Sequence, residues 1–199
     1  WNARWEQEYQ PVVINELCRI RAPFHAPANE FLFDIIIEPK MSFGTAHHET
    51  TSMMLELLLK EEFEGTTVLD MGCGTGVLAI LAAMKQADRV VAVDTDEWAF
   101  QNTKENICRN GVPQITAIHG NIESVPGESY DFIFANINRN VLLNDIPAYA
   151  GMLNDGGVLF MSGFYEEDLP LINGKCIENG LELDGYTVKN NWIGAKYCK

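Results

Sequence analysis

The amino-acid sequence predicts an α/β fold in which a mostly parallel sheet carries helices on both faces. Segments with strand and helix patterns alternate from about residue 41 onward, and the strands are near-continuous apolar runs, as in sheets covered on both sides. A glycine-rich turn joins the first of these strands to the helix after it. The 199 residues, 47% apolar and 21% charged, suffice for one such domain with a full core.

Residues 1–40 differ in pattern from the rest of the chain. Residues 1–8 suit a short helix, and the apolar runs at 12–14, 17–20 and 31–37 suit short strands separated by prolines. We therefore expect a linker with short strands over residues 1–40 and the main domain over residues 41–199. Because the chain starts at Trp1 without an initiator Met, we also expect that an upstream domain is missing.

The elements of the main domain follow from its apolar periodicity and its helix-ending residues. Apolar side chains recur at helical spacing between Met54 and Leu59, and Gly111 with Pro113 ends a later helix. The predicted order is helix 47–60, strand 67–69, helix 77–85, strand 89–93, helix 97–110, strands 115–118 and 130–135, helix 142–153, strand 157–162, helix 166–178, and strands 181–188 and 192–197. The last two strands form a hairpin, which places an antiparallel strand at one edge of the sheet.

The chain is strongly acidic, with 28 acidic and 14 basic residues and a net charge of −14. A surface of this kind repels phosphate backbones, so we expect no extended contact with DNA or RNA. It attracts a basic protein, although acidity that serves solubility alone is the simpler interpretation.

The five cysteines are scattered along the chain without a C-x-x-C pair. This pattern favours free thiols in a reducing compartment over a disulfide framework or a zinc site. No apolar run approaches the roughly 20 residues that span a bilayer. We therefore expect a cytoplasmic protein that does not bind membranes.

The glycine-rich turn carries the clearest functional signal. Gly72, Gly74 and Gly76 leave the first strand of the main domain, and Asp94 stands eighteen residues after Gly76, at the end of the second strand. In an open α/β sheet, ligands bind beyond the carboxyl ends of the strands at this point. Glycines allow close approach of a ligand, and a carboxylate here accepts hydrogen bonds from a ribose diol. The alternative is a plain strand-to-helix turn.

The spacing of the glycines distinguishes between nucleotide ligands. Dinucleotide-binding turns have the pattern G-x-G-x-x-G, whereas this turn has G-x-G-x-G and follows Asp70. Asp70 disfavours a pyrophosphate, but it can help to hold the turn or, through water, bind the ammonium group of a methionine moiety. An acidic rim also suits a cationic sulfonium. The turn therefore predicts S-adenosylmethionine, with S-adenosylhomocysteine as the product, rather than a nicotinamide cofactor.

Two asparagines follow the next two strands and are expected at the same crevice. Asn121 can hydrogen-bond the amino edge of adenine, with Ile122 against the ring, or it is an ordinary polar turn residue. Asn136 stands where the methyl group meets its acceptor, and its carbonyl can accept from an amine N–H and aim the nitrogen lone pair. The alternative for Asn136 is an Asx turn that closes the strand. We predict Asn136 as the catalytic residue.

The segment before the first predicted helix of the main domain offers hydroxyls. Thr50, Thr51 and Ser52 follow a glycine-containing turn and can reach the methionine end of the cofactor. His47, His48 and Glu49 also invite a metal site, but adjacent helical positions point to different faces, so we expect no metal. The aromatic side chains of Phe43, Trp98 and Trp192 are expected in the core or in pocket walls.

Together these motifs resemble one family, the bacterial methyltransferases of ribosomal protein L11. The resemblance rests partly on the run from Asp70 to Gly76 and on Asp94, which many class I methyltransferases share. The more family-specific motifs are Phe43-Gly44-Thr45 with Thr50-Thr51-Ser52, and Ala135-Asn136-Ile137. It implies a Rossmann-like class I methyltransferase fold with a seven-stranded sheet. It also implies cofactor contacts at Thr51, Gly72, Asp94 and Asn136, to which the turn adds Gly74 and the third strand adds Asn121. The implied reaction is methylation of the N-terminal amine and lysines of a basic ribosomal protein, which family members recognise through a small N-terminal domain.

The chain departs from the family pattern at two places on the substrate side. Ala46, His47 and Glu49 stand where the family has Gly, Thr and Pro, and residues 138–140 are Asn-Arg-Asn where small or apolar residues are usual. Two alternative functions therefore stay open. One is a methyltransferase for nucleic acids or small molecules, although Ile137-Asn138-Arg139 offers no aromatic face for a flipped base. The other is a cofactor-binding interaction module without activity.

Overall fold

The computed structural model describes residues 9–40 and 43–199, and its main element is a seven-stranded sheet. The strands are β4 (Thr67–Met71), β5 (Arg89–Asp94), β6 (Ile115–His119), β7 (Tyr130–Asn136), β8 (Leu153–Tyr165), β9 (Glu182–Lys189) and β10 (Trp192–Cys198). They lie in the order β6-β5-β4-β7-β8-β10-β9. Strands β4 to β8 are parallel, and β10 is antiparallel to both β8 and β9. The predicted fold class and the terminal hairpin are confirmed.

The strand order positions the site. The chain runs outward from β4 through β5 to β6 and then returns to the other side of β4 as β7. This reversal is the topological switch point, where the connections leave in opposite directions and open a crevice. The carboxyl ends of β4, β5 and β7 therefore meet at one edge of the sheet.

Five α-helices cover the two faces of the sheet within the described ranges. They are α1 (Glu49–Leu58), α2 (Val77–Met84), α3 (Glu97–Asn110), α4 (Arg139–Met152) and α5 (Leu169–Glu178). Each face has its own hydrophobic core. On β7, Phe134 belongs to the core with Leu58 and Ile80, whereas its neighbour Ile133 belongs to the core with Leu142 of α4. None of these helices is long and apolar enough to cross a membrane.

A small second sheet precedes the main one. Its strands are β1 (Val12–Ile14), β2 (Cys18–Arg21) and β3 (Phe33–Ile36), with β1 antiparallel and β3 parallel to β2. The side-chain amide of Asn110 on α3 bonds both backbone groups of Ile36, at 2.8 and 2.7 Å. Ile20 and Ile35 join the same core as α2. The predicted short strands are present, and they pack on the main domain; the helix predicted for residues 1–8 lies outside the described residues.

Several predicted boundaries are wrong by a few residues, and local chemistry explains them. Helix α4 begins at Arg139 rather than at residue 142, because the Asn138 side chain accepts from the Val141 N–H at 3.2 Å and caps the helix. Strand β8 extends past both predicted ends, to Leu153 and Tyr165. The predicted helix 166–178 is a 3₁₀ turn, Glu166–Asp168, followed by α5.

Candidate functional site

The glycine turn after β4 is held between two other segments. Gly72 and Gly74 have φ angles of 67° and 57°, a region that only glycine adopts readily. A Cβ on Gly72 would collide with the Ile137 side chain, and one on Gly74 with the Phe43 carbonyl. Phe43 also accepts a hydrogen bond from the Thr75 N–H at 2.9 Å. The turn is therefore fixed by the two segments that the sequence marks as family-specific.

Asp94 lies beside this turn and fixes it further. Its Oδ2 accepts from the Gly74 N–H at 2.8 Å, and its Oδ1 accepts from the Asp96 N–H at 2.9 Å. A carboxylate has about four lone-pair sites, so both oxygens can accept further bonds from a ribose. Asp94 also lines the cavity described next, and the predicted juxtaposition of Asp94 with the glycines is present.

Asp70 has a different place from the one expected. It is 1% exposed, and its Oδ2 accepts from the Ala79 N–H in the first turn of α2 at 3.2 Å. Burial, with a smaller effect of the nearby Asp94 carboxylate, raises the pKa of Asp70 to about 7. Of the two roles expected for Asp70, support of the turn is present, whereas the expectation of an acidic rim is wrong because this carboxyl group lies under the turn.

A cavity of about 1040 Å³ opens at the carboxyl edge of the sheet. Its apolar walls include Met71, Val93, Ile122 and Val141. Five of the six residues predicted to bind the cofactor line it, namely Gly72, Gly74, Asp94, Asn121 and Asn136. An apolar cleft with a few convergent polar groups is the usual form of a small-molecule site, and this one is large enough for a nucleoside with an amino-acid arm.

Asn136 and Thr51 are joined in the structure. The Asn136 Nδ2 donates to the Thr51 hydroxyl at 3.3 Å, and Thr51 is 1% exposed. In the part of the chain that the structure describes, no group donates to Asn136 Oδ1, so this oxygen is available at the cavity. Thr51 itself is not among the cavity-lining residues. Its direct contact with the cofactor stays a prediction, and its visible role is to hold Asn136.

Asn121 has one of the two roles that the sequence leaves open, and its position is compatible with the other. Its Oδ1 accepts from the Glu123 N–H at 3.1 Å and caps the 3₁₀ turn Ile122–Ser124. Asn121 and Ile122 also line the cavity. The polar turn is thus present, and contact with adenine stays a prediction.

The geometry agrees with what comparison with known proteins shows. The family model described as ribosomal protein L11 methyltransferase (PrmA) matches residues 1–199. The chain belongs to this family. It thereby belongs to the S-adenosylmethionine-dependent methyltransferases, and the predicted family and class of enzyme are confirmed.

Relatives and solved structures agree with this assignment. The chain is 45% identical over 199 residues to the ribosomal protein L11 methyltransferase of Phocaeicola vulgatus, covering 99% of this chain and 71% of the relative. It is 44% identical, with the same coverage, to the protein of that name from Bacteroides fragilis. The crystal structure of a ribosomal protein L11 methylase from Lactobacillus delbrueckii subsp. bulgaricus superposes with a TM-score of 0.87 at 27% identity, covering 95% of this chain and 98% of that one.

Residues at the departures from the family pattern, and His48 beside them, have structural roles here. His48 caps α1, since its Nδ1 accepts from the Thr50 N–H at 3.3 Å, while the His47 Nε2 bonds the Gln10 carbonyl at 3.0 Å. The two rings thus have different partners, as expected of helix-start residues. Arg139 pairs with Asp168 at 2.7 Å. Among the described residues, no group of three His, Cys, Asp or Glu side chains has metal-binding geometry.

Two of the three aromatics noted in the sequence are pocket walls. Phe43 and Trp98 line the cavity and are 54% and 81% exposed. Trp192 lies outside the cavity lining, with its ring centroid 4.1 Å from that of Tyr165. An exposed Trp98 at the mouth of an apolar cleft is a surface that a flat ligand would cover.

Sequence reasoning assigned to the site none of the four charged residues that line the cavity besides Asp94, namely Lys40, Asp96, Glu105 and Asp145, and the one that is buried is Asp145. It lies on α4, is 6% exposed and lines the cavity. A signal was present in the sequence, because Asp145 stands next to Ile146 and at helical spacing from Leu142 and Tyr149 in an otherwise apolar stripe. A carboxylate in a stripe that faces the core needs partners, and this points to a buried polar site.

Proposed function

We propose that this chain transfers methyl groups from S-adenosylmethionine to amino groups of ribosomal protein L11, at the N-terminal amine and at lysines. The observation that carries the proposal is Asn136, which lines the cavity and whose Nδ2 donates to Thr51, while no described group donates to its Oδ1. It stands at the end of β7, next to the glycine turn. An acceptor group at this place suits an amine substrate better than a hydroxyl or carbon acceptor.

Different residues of the cavity would contact different parts of the cofactor. The backbone of Gly72 and Gly74 would accommodate its amino-acid arm, and Asp94 would accept from the ribose hydroxyls. Asn121 and Ile122 would meet the adenine. When bound, the cofactor supplies a methyl group on a positively charged sulfur. Because the leaving group is a neutral thioether, the displacement needs no Lewis acid, and we propose that no metal takes part.

The chain's own contribution to the reaction is orientation. The Asn136 carbonyl accepts from an N–H of the substrate amine and aims the lone pair along the displacement axis. The bond from Nδ2 to Thr51 fixes the amide plane, so that the oxygen is already in place. An amide cannot remove a proton, and the amine must therefore be neutral when it reacts. With Asp70 buried beneath the turn, we propose that deprotonation precedes entry into the site.

Charge supports a basic protein as the partner. The net charge of −14 steers a cationic substrate and repels a phosphate backbone. After Asn136, the backbone of Ile137 packs against Gly163, and Asn138 caps α4. This segment presents no aromatic face for a flipped base. We propose that extended nucleic-acid binding and membrane binding play no part, and that the protein works in the cytoplasm with its five cysteines unpaired.

The test is methyl transfer to purified components by the full-length enzyme. Radiolabelled cofactor is incubated with ribosomal protein L11, with L11 whose amines are acetylated, and with ribosomal RNA. We expect label in unmodified L11 only. Label in RNA would establish the nucleic-acid alternative. Binding of S-adenosylhomocysteine without any transfer would establish the inactive module.

A further inference from the structure

A buried carboxylate lines the cavity without a cationic partner. Asp145 is 6% exposed, and within the described ranges no Lys, Arg or His forms an ion pair with it. Its Oδ1 accepts from the Asn144 Nδ2 at 2.7 Å, and its Oδ2 accepts a long bond of 3.4 Å from the Tyr149 hydroxyl. A buried charge with so few donors is costly, and donors from a ligand would offset the cost.

The location of Asp145 points to one part of a nucleoside ligand. It lies one turn after Val141 on α4, and both residues line the cavity. Leu142, Ile146 and Ile122 pack together in the core on this side of the sheet. Asp145 is therefore a buried carboxylate in the same cavity wall as Val141, and Asn121 and Ile122 of the segment after β6 line the same cavity.

A cavity with apolar walls and a buried acceptor fits a purine that carries an exocyclic amino group. Tyr149 and Asn144 already donate to the carboxylate, and burial together with the Asp145 carboxylate raises the pKa of Tyr149, which keeps its hydroxyl a donor. The Asn121 oxygen is engaged by the Glu123 N–H. The carboxylate of Asp145 thus remains as a strong acceptor in this part of the cavity.

We propose that Asp145 accepts a hydrogen bond from the 6-amino group of the cofactor's adenine and so determines the base specificity of the site. This inference rests on the proposed function, because it takes the cavity to hold S-adenosylmethionine. A 6-oxo purine would place an acceptor against the carboxylate, and two acceptors repel each other.

The experiment compares two ligands by calorimetry on the full-length enzyme. One ligand is S-adenosylhomocysteine and the other is S-inosylhomocysteine, in which an oxygen replaces the 6-amino group. We expect the wild-type enzyme to bind the adenine form at least about tenfold more tightly. Asp145→Asn should narrow this ratio toward one, because its amide can turn its NH₂ toward the 6-oxygen. Asp88→Asn, an exposed carboxylate outside the cavity, should keep the wild-type ratio.

Each outcome separates the inference from the function on which it rests. If the wild-type enzyme binds both ligands equally, or if Asp145→Asn weakens the binding of both by the same factor, Asp145 does not determine the base specificity. The inference then fails and the proposed function is unaffected. If neither ligand binds to the wild-type enzyme, the proposed function fails and the inference with it. Equal affinity of the wild-type enzyme for both ligands overturns the inference without any variant, and circular dichroism confirms that Asp145→Asn is folded before its ratio is measured.

Discussion

The side-chain amide of Asn136 donates to the hydroxyl of Thr51 across 3.3 Å, which joins the end of β7 to the first turn of α1. These two residues lie 85 positions apart in the chain. They belong to the two motifs that are more specific to the family than the glycine turn. The bond makes the motifs one unit, in which a buried threonine fixes the plane of an amide that faces the cavity.

Thr51→Val should slow methyl transfer with little effect on cofactor affinity. Valine keeps the volume and removes the hydroxyl that orients Asn136, a loss of about 1 kcal/mol or roughly fivefold in kcat. Turnover with L11 and calorimetry with S-adenosylhomocysteine measure the two effects separately. Ser52→Ala is the matched control, since the Ser52 hydroxyl bonds only its own helix at the Glu49 carbonyl. A loss confined to cofactor affinity would mean that Thr51 binds the cofactor directly.

Asp94→Ala should weaken cofactor binding by roughly 1.5–3 kcal/mol, the range of hydrogen bonds to a charged group. The variant removes the acceptor for the ribose and also releases the Gly74 N–H. Calorimetry with S-adenosylhomocysteine measures the loss, and the exposed Asp88→Ala serves as the control. Unchanged affinity for S-adenosylhomocysteine would mean that Asp94 does not bind the cofactor.

Asp70→Asn should raise the stability of the fold at neutral and alkaline pH. Burial raises the pKa of Asp70 to about 7, above the ordinary value of 3.8 for an aspartate carboxyl. The stability contributed by this group is therefore complete below pH 3.8 and is lost as pH rises through 7. An amide keeps the acceptor for the Ala79 N–H and removes the charge. The gain in the free energy of unfolding should therefore grow between pH 3.8 and pH 7, to at most roughly 4 kcal/mol. Urea unfolding at pH 5 and pH 8 measures it, and an equal difference at both would contradict the burial argument.

Gln86→Gly should stabilise the fold by about 0.5–1 kcal/mol. Gln86 follows the end of α2 with a φ of 69°, the left-handed conformation in which a side chain is strained and glycine is favoured. Gly111 ends α3 with a φ of 63°, and a Cβ added there would meet none of the described residues within 4 Å. The Gly111→Ala variant should therefore be less stable than wild type by about the same amount, through backbone strain alone. Thermal unfolding measures both, and shifts of the same sign would contradict the conformational argument.

The sequence was enough to predict most of the fold, because its periodic signals are local. The alternation of buried strands and helices, the glycine turn and Asp94 each depend on neighbours within one βα unit. Element ends were less predictable, since they depend on caps such as Asn138 that also suit a loop. The resemblance placed Thr51 in the site, but its bond to Asn136 joins distant segments that no local pattern relates.

Burial explains the two remaining differences between the site predicted from the sequence and the site in the structure. Asp70 is near the end of β4 and Asp145 is in the middle of α4, and the sequence neighbourhoods of these acidic residues do not say which one faces the cavity. In the structure Asp70 lies beneath the turn and Asp145 lines the cleft. Only packing of the helices on each face of the sheet decides between these positions.

Asn136 is proposed to aim an amine of the protein substrate, and single-turnover methylation by Asn136→Ala is the sharpest test of that role. With L11 and S-adenosylmethionine both saturating, we expect a rate at least about tenfold below wild type, which a loss of cofactor affinity alone would not produce. A wild-type rate at saturation, with a defect only at lower cofactor concentrations, would show that Asn136 does not orient the amine.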